Sequence, residues 1–280
     1  MSITAIPVLG RIMIELNITR TRVGAVTIAA AAMNDAIGWT ILALITAIVR
    51  STFDPVKLAT MVAEVVAYVL IMAFVLRPVV IRWSAWIMKK NAGELTLNGL
   101  AVLLILVLSS AAITNWIGIF SLFGGFMMGA IVYDQRDLRE AIHRRLNDFV
   151  MTFFLPIFFT YTGLRTDAGS MAGGRLWLFC GFVLLAAIIG KFGGCTLAAR
   201  LNGVPRREAS IIGVMMNARG LTELIVINVG YELGILPKAV FFMLVLMAVA
   251  TTYMTTPVLR RLFRGSEVWD SYRVSDFAVR

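Results

Sequence analysis

Long apolar runs broken by short polar or basic clusters set the pattern of this chain. They fall at about 23–49, 58–76, 95–114, 149–166, 176–199, 209–231 and 239–259. Each approaches or exceeds the roughly 20 residues that an α-helix needs to cross hydrocarbon. A shorter run at 118–133 is read as a further span, and 3–16 as half of one. Period-2 alternation is absent, which argues against a membrane β-barrel. The pattern predicts an all-α membrane protein, a polytopic helical bundle. About eight spans plus a half-span occupy 1–264, and 265–280 form a short tail.

The basic residues sharpen this picture. If residues 11–22 face the cytoplasm and every run crosses, nineteen of the 26 Lys and Arg fall on that side and five on the other. The remaining two, Lys191 and Arg219, lie inside runs. This bias is the positive-inside signature. It predicts a multi-pass protein of a bacterial inner membrane with a cytoplasmic C-terminus.

Composition agrees. Apolar residues make up 59% of the chain, charged residues 15%, and mean hydropathy is +0.85. A soluble domain carries about a quarter charged residues, so the expected partner is the lipid bilayer. The net charge of +10 does not indicate nucleic acid, because the basic residues form no block. Residues 1–16 lack the basic start and small-residue cleavage site of a signal peptide. Cys180 and Cys195 share one apolar run without metal-ligand spacing and read as reduced core residues. No cofactor is expected. The absence of HExxH and GxSxG patterns argues against an enzyme.

Ionisable residues within the runs carry the candidate chemistry. A charge near the bilayer centre costs about 2.5–3.5 kcal/mol on insertion scales, so each needs a reason. Asp35 follows Asn34 near the middle of 23–49, among small apolar neighbours. A carboxylate beside an amide oxygen offers hard ligands to Na+ or K+. Lys191, within Gly190-Lys191-Phe192-Gly193-Gly194, needs a carboxylate or carbonyl partner; structural counter-ion and proton carrier both stay open. Arg219 and Glu223 stand four apart in Asn217-Ala218-Arg219-Gly220-Leu221-Thr222-Glu223. Gly220 suggests a helix break there, where half-helix ends and free carbonyls face an ion. The favoured role for Arg219 and Glu223 is to neutralise those ends. A second break is expected at Thr4-Ala5-Ile6-Pro7. Glu64 has no evident partner. His143, in a charged loop, is given no catalytic role. Pro156 is expected to kink its helix. Gly125/Gly129 and Gly190/Gly194 have the spacing of close helix packing.

These stretches, in this order and spacing, resemble the monovalent cation/proton antiporter-2 family of Kef-type and plant cation/proton exchangers, within the sodium/proton exchanger superfamily. Thr4 to Ile12, Asn34-Asp35 with Trp39, Phe154-Leu155-Pro156 through Asp167, Asn217 to Leu224 and Thr251 to Pro257 carry the likeness. The resemblance implies a homodimer built on inverted repeats with two crossed, broken helices. It assigns cation and proton binding to Asp35, Asn34 and Lys191. It assigns helix-break support to Thr4, Pro7, Asn217, Arg219, Gly220 and Glu223. The implied activity is exchange of Na+ or K+ for H+ by alternating access. Relatives carry about three and a half more spans before the position of Met1, and two adjacent acids where this chain has Asn34-Asp35. A separate chain supplying those spans, a regulatory membrane fragment, and a Kef-like potassium efflux system are the alternatives it leaves.

Overall fold

The computed structural model describes residues 4–50, 55–91, 94–171, 173–264, 266 and 268–273. Among them there is no strand. Helices α1 (Ile6–Glu15), α2 (Arg22–Arg50), α3 (Pro55–Ile71), α4 (Arg77–Lys90), α5 (Leu97–Ile117) and α6 (Ser121–Ile131) come first. Then follow α7 (Arg136–Phe149), α8 (Leu155–Arg165), α9 (Gly174–Ile188), α10 (Gly194–Leu201), α11 (Arg206–Met216), α12 (Leu221–Glu232), α13 (Lys238–Phe263) and α14 (Trp269–Arg273). Among the described residues six continuous helical stretches are long and apolar enough to cross a membrane, and α11 with α12, bent by 44°, have together the length and apolarity of a broken span or a re-entrant loop. The chain is a polytopic helical membrane protein.

One expectation changes. The run at 118–133 forms a helix of only 11 residues. It rises about 16 Å, against about 30 Å of hydrocarbon, so α6 is too short to cross alone as a straight helix. The turns at 118–120 and 132–135 limit it. The helix stays continuous through Pro156. A π-turn at Val150–Phe154 precedes it and α7 runs on into α8. Pro78 is treated alike, behind a π-turn at Met72–Leu76. In both places one wide turn accommodates the proline's missing N–H and its ring.

The chain divides into two compact units. The first is formed by the described residues of Met1–Gly38 and Thr162–Arg280, and the second by Trp39–Tyr161. The first unit packs α1, the start of α2, α11 and the end of α13 around Leu9, Met13, Ile211, Met215, Leu259 and Phe263. The tail joins this core: Val268 and Tyr272 are buried, and the Tyr272 ring lies 5.1 Å from that of Phe263. At the far end of α12, Arg165 donates to Glu232 at 2.9 Å and Asn228 donates to Thr162 at 3.0 Å.

The second unit is built on hairpins. Thr96 caps α5 by accepting from the Gly99 N–H, and Gly118 ends it with a positive φ. The chain then returns as α6, which packs against α5. A Cβ at Gly124 would collide with the Ser110 carbonyl, so glycine is required for this approach. Gly125, Gly129, Gly190 and Gly194 have open space where a Cβ would stand. The spacing of those pairs is therefore not what brings helices together here.

Candidate functional site

The start of α1 and the junction between α11 and α12, where breaks are expected, meet inside the first unit. α1 opens at Ala5 without a side-chain cap, and Pro7 occupies its first turn, where no intrahelical donor is needed. The Pro7 side chain lies outside the described residues. The Ala5 N–H donates to the Ala218 carbonyl at 3.3 Å, and the Thr4 hydroxyl to the Met216 carbonyl at 3.1 Å. One break thus satisfies backbone groups released by the other, which a hydrocarbon interior requires. Gly220 permits the crossing, because a Cβ there would press on Val8 and Ala5.

Arg219, between α11 and α12, is the largest fully buried side chain. Its guanidinium donates to Glu223 in the first turn of α12. That acid faces the positive end of the half-helix. The pair therefore forms across the break and not along a continuous helix. Thr252 of α13 completes the junction: its hydroxyl accepts from the Arg219 N–H at 2.8 Å and donates to the Arg219 carbonyl at 2.6 Å. Sequence reasoning passed over Thr252. The only signal was a run of threonines in an apolar helix.

Asn34 and Asp35 lie on α2 beside this junction. Asn34 donates to the Thr4 hydroxyl at 3.3 Å. Asp35 is 8% exposed, and its Oδ1 is buried with no hydrogen-bond partner among the described residues. The same holds for Asn217 Oδ1 and Glu223 Oε2. Lys191 is buried on a π-turn, Ile189–Gly193, between α9 and α10. It stands within Coulombic reach of Asp35, Arg219 and Glu223. No proline follows this turn within α10, unlike the other two π-turns. Thr4, Asn34, Asp35, Lys191, Asn217, Arg219, Gly220 and Glu223 all belong to the first unit. Glu64 does not; it is exposed in the second.

Chemically, the junction gathers two carboxylates, two cations and a buried amide oxygen. No group of three or more His, Cys, Asp or Glu stands together among the described residues, so the donor set does not resemble a tightly held divalent metal site. A carboxylate with spare acceptor capacity within Coulombic reach of a buried amine suits an ion that enters and leaves.

A bundle of membrane helices, with buried charges gathered where the α1 start meets the α11–α12 junction, defines the class: an all-α polytopic membrane protein. Residues 1–265 match the sodium/hydrogen exchanger transmembrane family, and the chain belongs to it. It is 38% identical over 266 residues to the Na(+)/H(+) antiporter NhaS4 of Synechocystis sp., covering 94% of this chain and 63% of that protein. It is 34% identical over 281 residues to cation/H(+) antiporter 20 of Arabidopsis thaliana, covering 94% of this chain and 32% of that one. The K(+)/H(+) antiporter 1 of Saccharomyces cerevisiae is 34% identical over 276 residues, 97% of this chain and 31% of its own length. The chain thus spans less than two thirds of the relatives it matches.

Proposed function

We propose that the chain forms the ion-exchanging part of a monovalent cation/proton antiporter, with Asp35 as the group that holds either a proton or a cation. The observation that carries this reading is the Asp35 carboxylate. It is buried beside the two breaks, keeps an unpartnered oxygen and lies within reach of Lys191. The names of the relatives support Na+ or K+ as the counter-ion. Two monovalent species that compete for one carboxylate cannot occupy it together. Each turnover then returns the site to the other face with the other ion bound, which is alternating access.

In this reading Asn34 orients Thr4 and the α1 break, and Lys191 compensates the Asp35 charge when no cation is bound. Arg219 and Glu223 neutralise the half-helix ends. If Asp35 alone changes state, one H+ exchanges for one cation and transport is electroneutral. If Lys191 also releases a proton, transport is electrogenic. The basic residues on α4 and α7 support a cytoplasmic side for those ends, and a bacterial inner membrane with a cytoplasmic C-terminus belongs to the same reading.

The test is uphill uptake of labelled Na+ or Rb+ into proteoliposomes under an imposed pH gradient. Exchange is expected with the native sequence and is abolished in Asp35→Asn, whose folding is checked by thermal melting. Retained exchange in that variant would remove Asp35 from the mechanism. A membrane-potential-dependent rate would refute the single-carboxylate version.

A further inference from the structure

The second unit contains an acid that the exchange chemistry does not use. Glu64 sits on α3, is exposed, and makes no hydrogen bond or ion pair among the described residues. Its depth follows from its neighbours. Met61 reaches Gly118 at the C-cap of α5, and Tyr68 is hydrogen-bonded to Ser110 at 2.6 Å. Glu64 is thus level with about Thr114. α5 has 21 residues, a length of about 31 Å that matches the hydrocarbon thickness. Glu64 therefore lies roughly one turn inside the apolar layer, near one interface, where a carboxylate is costly without a partner.

The same acid stands at the mouth of a cleft of about 430 Å³ between α3 and α5. Its walls include Ile71, Met72, Val75, Leu106, Ile113 and Trp116. Of the hydroxyls lining it, those of Tyr68 and Ser110 are satisfied within the protein, while that of the exposed Ser109 makes no hydrogen bond among the described residues. Ser110 donates to the Gly124 carbonyl at 2.8 Å, which leaves the Tyr68 hydroxyl as donor to Ser110. Around Tyr68 and Ser110 the floor therefore offers no free hydroxyl. From Glu64 to Leu76 the helix advances about 18 Å, close to the depth of one leaflet, about 15 Å. Trp116, 86% exposed, marks the interface end.

We infer that this cleft holds one acyl chain of a phospholipid whose headgroup carries a primary ammonium, with that ammonium on the Glu64 carboxylate. Length and apolarity match the chain. Charge and hydrogen-bonding capacity match a primary amine. A trimethylated choline head has the charge but no N–H to donate, and an anionic glycerol head has the wrong sign.

The experiment is native mass spectrometry of the purified, delipidated full chain. It is titrated with phosphatidylethanolamine, phosphatidylcholine and phosphatidylglycerol of identical acyl chains. Phosphatidylethanolamine is expected to bind roughly tenfold more tightly than phosphatidylcholine, the worth of one charge-assisted hydrogen bond. Glu64→Gln should bring that ratio to about one and leave phosphatidylcholine binding unchanged. Ala67→Phe, which fills the cleft, should weaken all three lipids. Both substitutions are on an exposed face, and the comparison of lipids on the native sequence decides without any variant. No preference for the ethanolamine head, or a preference that survives Glu64→Gln, would overturn the inference. So would a dimer that Ala67→Phe dissociates while lipid retention stays unchanged, since a second copy would then fill the cleft.

Discussion

The two compact units bury different chemistry. Every charged side chain buried among the described residues belongs to the first unit: Asp35, Lys191, Arg219 and Glu223. The second unit buries only hydroxyls in its polar interior, at Thr46, Tyr68, Ser84, Ser110 and Thr114. Helix regularity follows the same division. The first unit holds the α1 start, the 44° bend between α11 and α12, and a π-turn at Lys191 with no proline behind it. In the second unit the π-turns at Met72–Leu76 and Val150–Phe154 each precede a proline. Irregular backbone is expensive in lipid unless something uses the exposed groups. Where proline explains the irregularity it is local geometry. At Lys191 it coincides with a buried charge, which is where π-turns tend to accompany function.

The largest expected effect tests whether the charges of the first unit depend on one another. Arg219→Met removes a cation whose side chain is 0% exposed and strands Glu223 at 3%. A loss of about 3–5 kcal/mol of stability is expected for breaking a buried pair from one side. Replacing both, Arg219→Met with Glu223→Leu, should recover most of it, because no uncompensated charge then remains. Thermal melting of detergent-solubilised protein reads both. Equal losses in single and double variants would mean that the pair is valued for its shape and not its charge.

The second unit is expected to respond to shape instead. Gly124 and Gly125 are neighbours on α6. A methyl at Gly124 runs into the Ser110 carbonyl, whereas one at Gly125 meets nothing within 4 Å. Gly124→Ala should cost about 1–3 kcal/mol through overpacking. Gly125→Ala should be neutral or stabilise by up to about 1 kcal/mol, since glycine is the poorer helix former. Similar melting temperatures for the two variants would show that α5 and α6 can slide apart at little cost.

These pairs also show what the sequence could reveal. Hydropathy located the spans, because length and apolarity are properties of a single segment. Pro7 marked the start of α1, and Gly220 the junction between α11 and α12, for the same local reason. Spacing drew attention to Gly125/Gly129, while the tight contact is at Gly124. Which glycine faces a neighbour depends on helix rotation, and a GxxxG pattern does not fix that. The hold of Thr252 on Arg219 joins residues 33 apart in sequence, and no periodicity records it. Lys191 and Glu223 come within Coulombic reach only through the packing of α9 to α12. The shortness of α6 escaped as well, because the apolar residues flanking it at Ile119 and Val132 look like helix until the turns are seen.

The smallest effect concerns an ion pair between the start of α4 and the turn after α6. Arg77 donates to Asp134 at 2.8 Å, with both side chains about half exposed. The hydrogen bond from Arg77 holds the Asp134 carboxyl below its usual range. A depressed carboxyl contributes stability above its unfolded value of about 3.9 and loses it as pH falls through the folded value. The window therefore lies below about pH 4. Arg77→Met should melt within a degree or two of the native sequence, with a gap that stays constant from pH 8 to pH 5 and narrows only under stronger acid. A gap that opened or closed near neutral pH would mean that a group other than Asp134 senses Arg77. The second unit would then hold a coupled charge, contrary to the division between the two units.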